Sequence, residues 1–262
     1  MRLACPTRGM CSHRSDSACL SRGGPAMLRC SHILCKVDNI RDCVAQLEQA
    51  GFSVQWGGDP ARAHNALVWF EEGPFLEFFE LPRWFRWLSY PFGWRFGSSA
   101  GQRLRGWAQA GEGWCDVALE PEQYQPEAPL SLDNVSQHLR QQALAGSRVV
   151  KGSRKSVQGE RVNYRFMMPR GNHLPFIVSH YHPLQRPVCV RHANGACAVT
   201  RVDFHIPLPS HRQLQRLLPA DRWLNSQHGE RRHVSSVILQ GWQALPQTSD
   251  FIQSLFNPSQ EA

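Results

Sequence analysis

From His32 to Leu81 the chain reads as a strand, a helix and three strands, and a similar order returns from Trp114 to His180. A supersecondary unit used twice constrains the fold more than any single residue does. Repeated once, a βαβββ unit makes a cupped mixed β-sheet with flanking helices and leaves a concave pocket where the copies meet. The expected fold class is therefore α+β, with small-molecule chemistry in the hollow.

The first module is placed at residues 27–81. Residues 31–37 read as a largely buried strand. Asp38 offers a helix N-cap, Ile40, Val44 and Leu47 form one apolar face, and Gly51 closes the helix. Residues 52–56 alternate as a half-buried strand that stops at Gly57-Gly58-Asp59-Pro60, and residues 64–70 and 75–81 make two more strands. Glu77 is the anomaly. A carboxylate inside Phe75-Leu76-Glu77-Phe78-Phe79 is costly unless it is paired or binds a metal.

The second module is placed at residues 114–183. Residues 114–120 match the first strand, Leu132, Val135, Leu139 and Ala143 give the helix face, and Gly146 ends it. Residues 148–150, 162–168 and 175–180 supply three strands, with a basic loop at 151–155.

On these residues the chain resembles the glyoxalase-like domain family of the vicinal-oxygen-chelate superfamily, which includes glyoxalase, bleomycin resistance protein and extradiol dioxygenase. The resemblance is carried by His32, Gly51-Phe52, Gly57-Gly58, His64-Asn65-Ala66-Leu67 and Phe75-Leu76-Glu77-Phe78. It continues in Leu174-Pro175-Phe176-Ile177, His182-Pro183 and His192-Ala193-Asn194-Gly195, and covers roughly residues 27–220. It implies that the first and last strands of each module line a cavity, with His32 and Glu77 facing one another as ligands of a divalent ion. An imidazole nitrogen and a carboxylate oxygen suit Zn, Ni, Mn or Fe(II), and open coordination positions accept a substrate's adjacent oxygens.

The chain also departs from that pattern. Trp114 stands where the repeat places a second strand-opening His, and Ser179 falls about where a second carboxylate is expected. Two ligands from one module make a weak site unless others complete it, and His64, Asp116 and His180 are the candidates. Asn65, Trp69, Trp114 and Phe176 are the candidate substrate contacts. His180 and His182 share a strand face, but Pro183 signals that the strand is ending there, so a structural or surface role is expected for that pair.

Between the modules, residues 82–113 interleave Trp, Phe and Tyr with Arg. Pro91, Gly93 and Gly97 interrupt any long amphipathic helix, so the segment is expected to form a lid or packing element, with membrane contact as the second choice. Residues 184–262 read as a partial third module: a strand at 198–206, a helix capped by Ser210 and carrying Leu214, Leu217 and Leu218, and a return strand at 234–239. That module either extends the sheet or builds a homodimer contact.

The net charge of +8 includes Arg2, Arg8, Arg14 and Arg22, against Asp16, within residues 1–26. The rest is spread without a basic run, which argues against a nucleic-acid partner. The nine cysteines form no C-x-x-C pair, and Cys30, Cys35, Cys43 and Cys115 lie in apolar patterns as small hydrophobes, so a reducing cytoplasm is expected. Residues 1–26 lack a signal-peptide core and read as a disordered extension.

Two functions remain open. One is a metal-assisted lyase, isomerase or dioxygenase acting on a small oxygenated substrate. The other is a metal-free protein of the same fold that binds or sequesters a small molecule.

Overall fold

The computed structural model describes residues 28–256; the expected N-terminal extension, 1–26, lies outside them. The two modules are built as expected. In the first, β1 (Leu28–Val37), α1 (Ile40–Gln49), β2 (Gln55–Trp56), β3 (Asn65–Val68) and β4 (Phe75–Glu80) follow in chain order. Next come α2 (Phe85–Phe96) and α3 (Ser98–Gln109), and then the second module: β5 (Gly113–Pro121), α4 (Asp133–Gln141), β6 (Val150–Lys155), β7 (Arg161–Met167) and β8 (Phe176–Val178). All eight strands form one curled sheet of order β2-β3-β4-β1-β5-β8-β7-β6.

The sheet order shows the internal repeat. β1 runs parallel to β4 and β5 parallel to β8, while β1 and β5 meet antiparallel at the centre. Alternation along β1 assigns the two faces. Ile33, Cys35 and Val37 join the large core behind the sheet, with Val44 and Leu47 of α1 and Val135 and Leu139 of α4. His32, Leu34 and Lys36 point to the concave front.

Several boundaries differ from the sequence reading. Asn39, not Asp38, caps α1, accepting from the backbone N–H of Arg41 and Asp42 through its side chain. Residues 151–155 are not a loop but most of the edge strand β6, whose alternate residues reach solvent. The insertion is two helices rather than a broken run. Pro91 lies inside α2, and Gly93 does not stop the helix because it is where α3 approaches. A Cβ built on Gly101 would sit 2.6 Å from the Ser89 carbonyl oxygen and 2.9 Å from Gly93 Cα, so the crossing requires glycine.

Two buried charges fix α3 over the concave face. Lys36 Nζ donates to the carbonyls of Ala108 (3.2 Å) and Ala110 (2.6 Å) at the helix's C-terminal end, where the dipole favours a cation. Arg103 pairs with Asp116 of β5 at 2.8 Å, both side chains being fully buried.

The third module forms its own small sheet, so it does not extend the large one. β9 (Ala198–Ile206), α5 (Leu208–Leu217), β10 (Leu224–His228) and β11 (His233–Gln240) give the order β10-β9-β11, followed by α6 (Asp250–Phe256). Ser210 lies within α5 rather than capping it; the cap position is Pro207. Val202, Phe204, Leu214, Val237 and Ile252 join the core behind the large sheet. Cys30, Cys35 and Cys43 are buried there as small apolar groups, free of disulfides. No helix among the described residues is long and apolar enough to cross a membrane.

Candidate functional site

The concave face encloses a cavity of about 280 Å³, a volume suited to a small molecule. Its floor is laid by alternation: His32 and Leu34 from β1, Glu77 and Phe79 from β4, Glu120 from β5, and Phe176 and Val178 from β8. Asn65, Arg154, Tyr164 and Phe166 line the flanks, and Leu104 and Trp107 of α3 form the roof. The insertion therefore does cover the hollow.

A chain of hydrogen bonds sets the state of His32. Arg29 clamps the Glu120 carboxylate through Nε (3.0 Å) and Nη2 (2.8 Å). Ser31 Oγ donates to Glu120 Oε2 at 2.9 Å. With its proton committed there, Ser31 Oγ accepts from His32 Nδ1 at 3.1 Å. The proton thus sits on Nδ1, and Nε2 presents a bare lone pair to Glu77 Oε2 at 3.4 Å. Burial pushes the His32 pKa down to about 3, so the ring is neutral at physiological pH.

Glu77 is held from its other oxygen. Asn65 Nδ2 donates to Oε1 at 2.8 Å, and Asn65 lies over Gly57, where a Cβ would come within 1.9 Å of its Oδ1. The Glu77 carboxyl is raised above its ordinary value because burial outweighs the Asn65 hydrogen bond and the nearby Arg154 charge. Arg154 Nη1 donates to the Gly57 carbonyl at 2.6 Å, and its guanidinium lies 5.4 Å from the Tyr181 ring centre. Its Nη2 is buried without a hydrogen-bond partner.

Of the residues expected at the site, His32, Glu77, Asn65 and Phe176 line the cavity. His64 is exposed just before β3, away from the cavity. Asp116 is saturated by Arg103, Arg232, Trp107 and the Val117 N–H, which together hold its carboxyl below its ordinary value despite burial. His180 turns away: its Nδ1 lies 3.7 Å from Glu120, and its Nε2 is buried without a partner. Trp69 packs against Phe75 with tilted rings and donates to Gln55 at 2.6 Å. Trp114 packs behind the sheet on Phe78 and Phe256. A register shift opposite Leu34 and Cys35, between Trp114 and Asp116, carries the Trp114 side chain to the back face.

The donor set does not fit a resident metal ion. His32 Nε2 and Glu77 Oε2 do stand about as far apart as two ligands of one tetrahedral ion at ~2.1 Å. Yet no third His, Cys, Asp or Glu completes the group among the described residues. Ala118 registers with Phe176 as His32 does with Phe75, so the second module offers Ala118 and Val178 where the first offers His32 and Glu77. Arg154 on the same wall adds a positive charge that opposes a cation.

Sequence reasoning missed Ser31, Glu120, Arg154, Tyr164 and the roof residues Leu104 and Trp107. Glu120 was within reach: on β5 it stands two residues beyond Ala118, on the same face. Arg154 was hidden in a segment taken for a loop.

The cupped sheet, the paired modules and the cavity at their junction define a glyoxalase-like architecture. The chain belongs to the glyoxalase-like domain family, whose model matches residues 30–218. A hypothetical protein from Staphylococcus aureus shares the fold, with 12% identity over 83% of this chain and 93% of that one and a TM-score of 0.54. An extradiol ring-cleaving dioxygenase from B. fuscum matches at 11% identity over 82% of this chain, with a TM-score of 0.46. Homoprotocatechuate 2,3-dioxygenase from Arthrobacter globiformis matches at 9% identity over 82% of this chain, with a TM-score of 0.45. The matches span only 57% and 64% of those two dioxygenase chains. No curated protein matches the sequence.

Proposed function

We propose that this chain is a metal-free small-molecule binding protein of the glyoxalase-like domain family, taking an oxygenated molecule with a flat apolar body. The observation that carries this reading is the division of the cavity wall. Leu34, Phe79, Trp107, Phe166, Phe176 and Val178 form one continuous apolar cluster. His32, Asn65, Glu77, Arg154, Tyr164 and Tyr181 make the polar part, where His32 offers an acceptor and Arg154 a positive charge.

The state of the imidazole suits a binding role for His32 over a proton-transfer role. A general base works best with a pKa near the operating pH, and one at about 3 is a hydrogen-bond acceptor rather than a proton store. A ligand hydroxyl would donate to the bare His32 Nε2, a negatively charged ligand oxygen would be drawn to the Arg154 side, and the aromatic wall would hold the rest.

Thermal shift of the full chain against a panel of aromatic hydroxy acids, with and without Zn, Ni, Mn and Fe(II), tests the reading. Stabilisation that is independent of metal and lost in Arg154→Met supports it. Stabilisation that appears only with a metal, or that survives Arg154→Met, overturns it.

A further inference from the structure

The insertion carries a second surface that the cavity does not explain. Helix α2 buries Ser89 and turns Phe92 and Phe96 toward the apolar cluster under α3. Its opposite side presents Trp84, Trp87, Leu88, Tyr90 and Trp94, which are 57%, 60%, 40%, 59% and 90% exposed. At 100° per residue these positions fall on one arc of the helix. The helix is thus amphipathic in reverse, with large aromatics outward, and a contiguous apolar patch of this kind marks a contact surface.

Charge accompanies the aromatics. Arg83, Arg86 and Arg95 are exposed on or beside the same helix. The Arg86 guanidinium lies 5.0 Å from the Trp87 ring centre, and Arg105 of α3 lies 5.8 Å from that of Tyr90. Residues 81–111 contain no Asp or Glu.

We propose that this face docks on a bilayer surface rich in anionic phospholipid. Trp84, Trp87, Tyr90 and Trp94 would sit at the headgroup level, with Arg83, Arg86, Arg95 and Arg105 against the phosphates. Trp and Tyr favour that layer because each ring joins an apolar body to a polar edge. Arginines beside them are drawn to an anionic leaflet. The twelve residues of α2 span about 18 Å, too short to cross a bilayer and suited to lying in its plane.

Other occupants fit this surface less well. A second copy packed about a twofold axis would set arginines against arginines, with no carboxylate in the segment to offset them. Single-stranded nucleic acid is held in a basic groove, whereas this surface is the convex side of one helix. Pro91, Gly93 and Gly97 promised a broken segment, which ranked membrane contact below packing, but only Gly97 ends the helix. The helix forms all the same, and its aromatics are on the outside.

The test is co-sedimentation of the full chain with vesicles of phosphatidylcholine alone and of phosphatidylcholine mixed with phosphatidylglycerol, at low and high salt. The chain is expected to pellet with the mixed vesicles, to be released by salt, and to bind about fivefold more weakly for each of Arg83, Arg86 and Arg95 changed to Gln. The Trp87→Ser/Trp94→Ser double variant, checked for an unchanged melting temperature, is expected to stay in the supernatant. Wild-type protein that ignores the mixed vesicles overturns the proposal, as does a normally melting double variant that still pellets. A wild-type dimer that the double variant splits, without vesicle binding, would assign the face to a second copy. Binding of a mixed-sequence single-stranded oligonucleotide in place of vesicles would assign it to nucleic acid.

Discussion

The bare Nε2 of His32 faces Glu77 Oε2 across 3.4 Å, so two lone pairs meet unless a proton or a ligand group comes between them. Both groups are shifted toward neutrality by burial, His32 downward to about 3 and Glu77 upward.

The imidazole sets a pH dependence of stability. Below its ordinary value of 6.5 the unfolded chain takes a proton that folded His32 refuses until about pH 3. Unfolding therefore binds protons, and stability falls as pH drops through that window, by up to about 1.4 kcal/mol per unit. In His32→Phe this part of the slope should vanish, as urea midpoints between pH 6.5 and 4 would show. His192 is lowered for the same reason, so some slope remains in the variant.

Glu77 gives the opposite sign. Its carboxyl holds a proton more tightly folded than unfolded, so stability falls as pH rises above its ordinary 4.5. Gln at this position cannot ionise and brings an amide N–H toward the bare Nε2 of His32. Glu77→Gln is expected to match wild type near pH 5 and to exceed it by about 1 kcal/mol at pH 8. A less stable variant at pH 8 would mean that the charged carboxylate has a partner beyond Asn65 and Arg154.

Asp116 holds Arg103, Arg232 and Trp107 at once, so it joins α3, β5 and the segment before β11. Asp116→Ala leaves the fully buried Arg103 guanidinium without its counter-charge. A loss of about 3–5 kcal/mol in urea unfolding is expected.

Gly101 sets helix propensity against packing. Ala in a helix interior should add up to ~1 kcal/mol over Gly. Here its Cβ would meet the Ser89 carbonyl at 2.6 Å, backbone that cannot step aside. Gly101→Ala is therefore expected to destabilise by about 1–3 kcal/mol in the same measurement.

How much of this was legible in the chain depended on whether a residue's burial left a period. β1, α1 and β4 announced themselves because Ile33, Cys35 and Val37, or Ile40, Val44 and Leu47, repeat at strand or helix spacing. Strand β6 did not, because Val150-Lys151-Gly152-Ser153-Arg154-Lys155 is an edge strand with little apolar content, and the cavity arginine was lost with it. Trp114 was assigned to the wrong face because one irregularity in the β1–β5 ladder reverses the alternation, and no composition signal marks it. Helix α2 was masked by Pro91 and by glycines whose purpose lies in a neighbouring helix.

Lys36 is an ammonium sunk beneath the ceiling of the hollow, bonded to the very end of α3. With Arg103 pinned to the floor partway along, that ceiling has two rivets and little freedom to swing. If the hollow takes a small molecule, that molecule would meet a cover already held in place, and little of its binding energy would go into ordering the roof.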